Sequence, residues 1–390
     1  MKFIGVMTGT SLDGLDACLI DCQPNRIERI ESCSHPMPAG LQAQLASLLD
    51  DHTPLALDAA ARASVALSDA VADLIKDLLG RTGLAPGAIT ALGVHGQTVR
   101  HAPTQGYSLQ LVHAPRLAER TGIDVAFDFR NRDIAAGGQG APLVPPFHAA
   151  MVCQSMQAPA LAGPVAVLNL GGIANLSCFE MQAATDAGEP AGNQPAEGRL
   201  IAETLVGFDT GPANTLLDGW AQRHIGKPFD PHGAWAAQGT ACPALLAQCK
   251  SDDFFKKPPP KSTGRDHFHL EWLARQIQAL GEAGSRLDPV DVQATLLALT
   301  VDTVTEALPQ GLQALWVCGG GAKNDALMQA LSHRLPMPVR TTDALGWPSQ
   351  DIEAAAFGWL AWRLHQGLPG NVPAVTGARG PRLLGCWAPA

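Results

Sequence analysis

Phe3-Ile4-Gly5-Val6-Met7-Thr8-Gly9-Thr10-Ser11-Leu12-Asp13-Gly14-Leu15-Asp16-Ala17-Cys18-Leu19-Ile20-Asp21 opens the chain and sets a pattern that recurs in its second half. The apolar run Phe3, Ile4, Val6 predicts a buried strand, and Ala17, Leu19, Ile20 predicts its antiparallel partner. The turn between them holds Gly9 and Gly14, the hydroxyls of Thr8, Thr10 and Ser11, and the carboxylates of Asp13 and Asp16. Glycine lets backbone N–H groups approach a phosphate closely. The two carboxylates would repel a bare phosphate and make sense beside a divalent cation. An ordinary hairpin with a polar turn carries the same residues, so this stretch alone leaves both readings open.

Further along, the pattern returns. Val165–Leu170 predicts a strand that runs into Gly171-Gly172-Ile173-Ala174-Asn175 and a second strand, with Gly171 lying 162 positions after Gly9. Such a separation fits a duplicated domain rather than a short repeat. A chain of 390 residues is also long for one core. The expected domains are therefore 1–135 and 136–390, with the last helix or tail able to pack back on the first.

In the first domain, Ile27–Cys33 predicts a third strand. A helix is expected to open at Thr53-Pro54 and to end at Gly80, carrying Leu67, Val71, Leu74, Ile75 and Leu78 on one face. The strand Ile89–Val94 delivers His95-Gly96-Gln97-Thr98, then a helix at Pro115–Arg120 leads to the strand Ile123–Phe127. Arg130 and the glycine-rich Gly137-Gly138-Gln139-Gly140-Ala141-Pro142 come next in an irregular crossing segment, a reasonable hinge or cleft floor and equally a plain linker.

In the second domain, Met181–Arg199 looks like an exposed insertion. The strand Leu200–Gly207 runs into Phe208-Asp209-Thr210-Gly211-Pro212 and a helix over Asn214–His224. Lys256–Ser262 is expected to be an extended, polyproline-like surface connection. Asp288-Pro289 caps a helix through Leu308, and Leu315–Cys318 is a buried strand ending in Gly319-Gly320-Gly321, with Asn324 capping the next helix. Gln350–Leu364 is expected as a final amphipathic helix with Glu353 in its first turn. The whole describes an α/β protein with mixed sheets.

Composition narrows the function. Apolar residues make up 46% and charged residues 16%, a globular balance, and the formal net charge of −9 without a long basic run argues against nucleic acid or an anionic membrane as partner. Nine cysteines, an odd number without a Cys-x-x-Cys pair, read as reduced core residues. The apolar N-terminal run is too short for a signal peptide, and a cytoplasmic protein is expected.

Four loops each come after an apolar strand: Gly9–Asp16, Gly171–Asn175, Phe208–Asn214 and Gly319–Asn324. Ligands of α/β sheets collect at such strand ends. Two glycine hairpins suit a nucleotide tail, and the Gly-Gly-Gly turn suits a ribose or base.

These segments resemble a known family. Gly5–Asp16, His95–Thr98, Gly137–Pro142, Asn169–Asn175, Phe208–Pro212 and Pro259-Pro260-Lys261-Ser262-Thr263-Gly264-Arg265 are similar, in order, to the signatures of the anhydro-N-acetylmuramic acid kinase family, over essentially the whole chain. The resemblance implies two duplicated actin/hexokinase-like (ribonuclease H-like) domains with a central nucleotide cleft, and a homodimer. It implies that ATP, Mg²⁺ and water convert 1,6-anhydro-N-acetylmuramic acid to N-acetylmuramic acid 6-phosphate in peptidoglycan recycling. Met7 stands in the neighbourhood where the wider superfamily has an aspartate, so metal duties would fall to Asp13, Asp16 or groups elsewhere.

The bridged sugar has no free 6-hydroxyl, so water must attack its anomeric carbon while O6 departs toward phosphorus, which calls for a carboxylate base. By motif match that base is Asp209, which a following helix N-terminus would keep ionised, although simply capping that helix would also place it there. Glu353 is the second carboxylate the resemblance implies. The expected nucleotide contacts are Gly9, Thr10, Ser11, Leu12, Asp13, Gly14, Leu15, Asp16, Gly171, Gly172, Asn175, Gly319, Gly320, Gly321 and Asn324. His95, Gln97, Thr98 and Arg130 are expected at the sugar, the arginine fork suiting its carboxylate, while a buried structural role for His95 stays open. A kinase acting on an ordinary hydroxyl and an actin- or Hsp70-like ATPase remain as alternatives.

Overall fold

The computed structural model describes residues 1–9, 12–24, 26–49, 56–155, 161–182, 200–264 and 266–390. Thr10, Ser11, Thr53, Pro54, most of the expected insertion at 181–199 and Arg265 lie outside the described residues. The strands are β1 Lys2–Thr8, β2 Gly14–Gln23, β3 Arg26–Pro36, β4 Ala91–Val94, β5 Gln97–Ala102, β6 Tyr107–Leu111, β7 Val125–Phe127, β8 Gly163–Leu170, β9 Ile173–Met181, β10 Leu200–Pro212, β11 Leu315–Cys318, β12 Val339–Thr341 and β13 Cys386–Ala388.

The chain divides into two compact units. One is built from Met1–Gln154 and Asp351–Ala390, the other from Ser155–Gly192 and Gly198–Gln350. The boundary thus falls at Gln154 rather than 135, because the helix Pro145–Gln154 stays with the first unit. Residues 351–390 also leave the second unit, since their helix Ile352–His365 lies against β1, β2 and β4.

In the first unit the sheet order is β13-β7-β4-β1-β2-β3. β1, β2 and β3 form an antiparallel meander, and β4 and β7 continue the sheet in parallel from β1. In the second unit the order is β10-β9-β8-β11-β12, again an antiparallel meander followed by two parallel strands. Each unit repeats one plan, the duplicated actin/hexokinase-like (ribonuclease H-like) α/β fold.

One face of the first sheet is covered by the helix Leu57–Thr82, whose Leu67, Val71, Leu74, Ile75 and Leu78 are buried. This helix starts three residues after Pro54, with Ala56 at its cap, and passes through Gly80. It stops at Gly83, whose φ of +68° is the left-handed conformation that ends helices. The other face carries Ile352–His365, buried from Ile352 and Ala354 through Trp362 rather than amphipathic. Its seat depends on glycine: a Cβ on Gly5 would lie 1.8 Å from the Ala354 carbonyl oxygen, and one on Gly93 2.0 Å from that of Phe357.

Among the elements not expected from sequence are the helix Ala39–Ala46 and the hairpin β5–β6, whose first strand begins at Gln97. β4 and β7 are shorter than expected, starting at Ala91 and Val125, and β3 is longer. In the second unit, β10 continues past Gly207 to Pro212, so Asp209 sits within a strand. Lys256 closes a short helix, Asp253–Lys256, ahead of the proline segment.

Candidate active site

In the second unit, Asp209 lies opposite Asn175 in the β9–β10 register. The Asn175 side-chain amide donates to Asp209 Oδ1 at 2.8 Å, and the Thr263 backbone N–H donates to Oδ2 at 2.8 Å. The Asp209 backbone N–H in turn donates to the Lys261 carbonyl at 3.0 Å. Lys261 and Thr263 thus reach Asp209 directly, while Lys257–Pro260 and Ser262 stay exposed, as expected of a surface connection.

Burial pushes the Asp209 carboxyl up to about 6, against the two hydrogen bonds and the nearby Lys261 charge. Desolvation of the charged form outweighs partners that favour it. The expectation that a helix terminus keeps Asp209 ionised is corrected. β10 runs on to Pro212, and the helix Asn214–Ile225 has Ala213 at its cap with no side-chain cap bond. That helix end is closed by the glycine turn: the N–H groups of Ala213, Asn214 and Thr215 donate to the carbonyls of Gly171 and Gly172 at 3.0–3.1 Å.

Gly319–Gly321 meet the same strand end. A Cβ on Gly319 would lie 2.3 Å from Asn169 Oδ1, and one on Gly321 2.6 Å from Leu170 Cβ. Asn324 Oδ1 accepts from the Leu327 N–H at 3.1 Å, capping Asp325–Arg334 as expected. The expected Gly171, Gly172, Gly319, Gly320 and Gly321 thus converge beside Leu170, whereas Asn175 spends its amide on Asp209.

In the first unit, the turn between β1 and β2 closes with the Leu12 N–H donating to the Gly9 carbonyl at 3.2 Å, Leu12 holding a φ of +57°. The Thr8 hydroxyl donates to the Gly96 carbonyl at 3.0 Å and so ties β1 to the His95–Thr98 corner, where a phosphate contact was one expectation. Asp13 is exposed in the turn, and Asp16 accepts from the Ser34 hydroxyl at 2.5 Å. Among the described residues no group of three or more His, Cys, Asp or Glu gathers as a metal cage. Mg²⁺ needs only one or two carboxylates when phosphates and waters complete its shell.

His95 and Arg130 come together. His95 Nε2 receives the Arg130 Nε–H at 3.1 Å and a second guanidinium N–H at 2.8 Å. Arginine only donates, so this nitrogen is the acceptor, and the neutral ring carries its proton on Nδ1. Burial and then the Arg130 charge hold His95 well below its usual range. Arg130 also donates to the Gly140 carbonyl at 2.7 Å. Burial lowers it to about 10, while the charges of Glu353 and Asp133 act the other way. Phe357, one turn after Glu353, meets the His95 ring at a tilt of 44° with ring centroids 4.7 Å apart. Gln97 is fully buried, and its Oε1 has no hydrogen-bond partner among the described residues. Thr98 sits half-buried beside it and accepts from Gln110 Nε2 at 3.1 Å.

Lys261, Thr263, Asp133 and Gly140 escaped the functional reading. The motifs containing Lys261, Thr263 and Gly140 were visible, but Lys261 and Thr263 meet Asp209 more than fifty residues away, and Asp133 meets Asn371 and Thr376 more than two hundred away.

A duplicated actin-like fold, with glycine turns at its strand ends and a buried carboxylate of raised pKa, is that of a phosphotransferase of the carbohydrate kinase class. A family model described as "Anhydro-N-acetylmuramic acid kinase" matches residues 1–192 and 200–390. The anhydro-N-acetylmuramic acid kinase of Bordetella pertussis (strain Tohama I) is 47% identical across all of this chain and 96% of its own length. That of Chromohalobacter salexigens is 44% identical, over 98% of each chain. Among solved structures, xylulose kinase from Lactobacillus acidophilus is similar at a TM-score of 0.41 and 11% identity, covering 98% of this chain and 94% of its own. The chain belongs to the anhydro-N-acetylmuramic acid kinase family.

Proposed function

We propose that this protein converts 1,6-anhydro-N-acetylmuramic acid, ATP and water to N-acetylmuramic acid 6-phosphate and ADP, as a step of peptidoglycan recycling. The observation that carries the mechanism is the clasped carboxylate of Asp209, raised to about 6 by burial. A base with a pKa just below neutrality is ionised at working pH and still a competent proton acceptor. Asp209 takes a proton from water as the water oxygen bonds to the anomeric carbon. The C1–O6 bond breaks, and O6 bonds to the γ-phosphorus as ADP leaves. Glu353 helps to orient the water, and the two Asp209 hydrogen bonds hold the carboxylate for it.

Arg130 grips the sugar's lactyl carboxylate. Two of its N–H groups are spent on His95 and one on Gly140, and it keeps partial exposure, so donors of its fork remain for a ligand. Gln97 offers its unpartnered Oε1 to a donor on the sugar. The glycine turns at Gly9–Asp16, Gly171–Gly172 and Gly319–Gly321 take the nucleotide. Mg²⁺, when bound, neutralises charge on the transferring phosphoryl group, and Asp13 and Asp16 would hold it through water. We infer a cytoplasmic homodimer. The location is supported by nine cysteines that form no disulfide, seven of them buried, and the dimer by the resemblance of the motifs.

Turnover in ¹⁸O-water tests the reaction. The label is expected at the C1 hydroxyl of the sugar phosphate, read before ring opening exchanges that oxygen, with none in ADP. Label in inorganic phosphate instead means plain ATP hydrolysis, and a phosphorylated sugar without label at C1 means transfer to an ordinary hydroxyl. Either refutes the proposal.

A further inference from the structure

Asp133 is fully buried in the helix Asn131–Ala135, one turn after Arg130. Its Oδ1 accepts from the Asn371 amide at 2.6 Å and the Thr376 hydroxyl at 2.7 Å, and its Oδ2 accepts from the Gly140 N–H at 2.8 Å. The Gly138 N–H donates to its backbone carbonyl at 3.0 Å. The glycine loop is shaped around this carboxyl. A Cβ on Gly138 would lie 2.1 Å from Oδ2, and Gly140, at φ +66°, has room for none, with Ile134 Cγ1 at 2.8 Å. The carbonyl of that same Gly140 accepts from Arg130.

We propose that Asp133 is a positioning residue for sugar binding: by holding Gly140 through Oδ2 it sets the carbonyl that aims the Arg130 guanidinium. This rests on the reading of Arg130 as the grip on the sugar carboxylate. His95 fixes one side of the guanidinium and Gly140 the other, so the fork has a single orientation only while Gly140 is held. Asn371 and Thr376 anchor Oδ1, and the Gln139 N–H donates to the Thr376 carbonyl at 2.7 Å, so the 371–376 segment braces the loop from behind.

Asp133→Asn separates the arms. The new side chain keeps its oxygen where two donors converge, which turns its NH₂ toward the Gly140 N–H, donor against donor. A double-mutant cycle with Arg130→Met reads the result. Arg130→Met is expected to raise KM for the anhydro sugar by about tenfold or more while KM for ATP stays within about twofold. Asp133→Asn is expected to raise the sugar KM by about three- to tenfold alone and by less than about twofold in the Arg130→Met background. Thr376→Val, which keeps the charge and the Gly140 bond, covers the case in which Asp133→Asn does not fold. Its expected rise of about two- to threefold should vanish in the same background.

An unchanged sugar KM in Asp133→Asn, or the same factor in both backgrounds, reduces Asp133 to a structural staple and overturns the proposal. An unchanged sugar KM in Arg130→Met is a different failure. It removes the reading of Arg130, and the proposal with it.

Discussion

Replacing Asp209 by asparagine separates what the carboxylate does for chemistry from what it costs the fold. Its pKa rises from 3.8 to about 6. Two units at 1.36 kcal/mol each give at most roughly 3 kcal/mol of destabilisation in the charged native state, less whatever solvent screening its partial exposure allows. The sign comes from proton linkage. With the folded pKa above the unfolded one, the native state binds the extra proton between about pH 4 and pH 6, so this group's contribution to stability is lost as pH rises through that window. An asparagine in its place would not titrate. Its new NH₂ can be met by Asn175, which already donates to Oδ1 and can turn its own amide to offer oxygen, while the Thr263 N–H keeps an acceptor.

The Asp209→Asn variant is therefore expected to be as stable as the parent near pH 4 and more stable by about 1–3 kcal/mol at pH 8. Its kcat should fall by roughly 10²–10⁴, the usual loss of a general base. The parent's kcat/KM should decline below about pH 6 with a slope of one, a limb that the variant lacks. Denaturant titrations from pH 4 to pH 8 and pH–rate profiles on both proteins read these quantities. A kcat within about tenfold of the parent refutes the role as base. A stability difference that does not grow between pH 4 and pH 7 refutes the burial argument.

Gly93→Ala tests the seat of the buried helix. The added Cβ would lie 2.0 Å from the Phe357 carbonyl oxygen and 3.0 Å from Ala361 Cβ, so the helix must move. A loss of about 3 kcal/mol, or a Tm lower by about 6–12 °C, is expected on thermal melting, and a shift under about 2 °C refutes the close approach. Chelation by EDTA is expected to stop turnover yet leave Tm within about 1 °C, since no metal cage of three or more such ligands exists among the described residues. A fall of more than about 5 °C means that a metal holds the fold together, against that expectation.

The strands and their glycine turns were legible because buried β-runs and breakers are local signals. The caps Asp288 and Asn324 were legible for the same reason, each residue bonding an N–H two or three positions on. What failed was what distance in sequence decides. The helix Ile352–His365 looked amphipathic because Ala354, Ala355, Ala356 and Gly358 carry little hydrophobic signal, yet Gly5 and Gly93, hundreds of residues earlier, admit it to the sheet. Gly80 looked like a stop, but the residue with the left-handed φ is Gly83. Asp209 was found by motif, whereas its raised pKa comes from burial in the fold, opposed by a hydrogen bond from Thr263, 54 residues away.

The duplicated plan shows how such a base can arise. Counted from the turn, Met7, Asp16 and Ser34 share one rung across β1, β2 and β3, and Asn169, Asn175 and Asp209 share the matching rung across β8, β9 and β10. Each rung carries one cross-strand side-chain hydrogen bond to a carboxylate, Ser34 to Asp16 at 2.5 Å and Asn175 to Asp209 at 2.8 Å. The first bond is exposed. The second lies beside Lys261 and Thr263, and burial raises its carboxyl to about 6 against the Asn175 and Thr263 hydrogen bonds and the Lys261 charge. The strand ladder supplies a carboxylate in both units. In the proposed reaction, burial of the carboxylate on β10, more than the ladder, is what would match it to proton transfer near neutral pH.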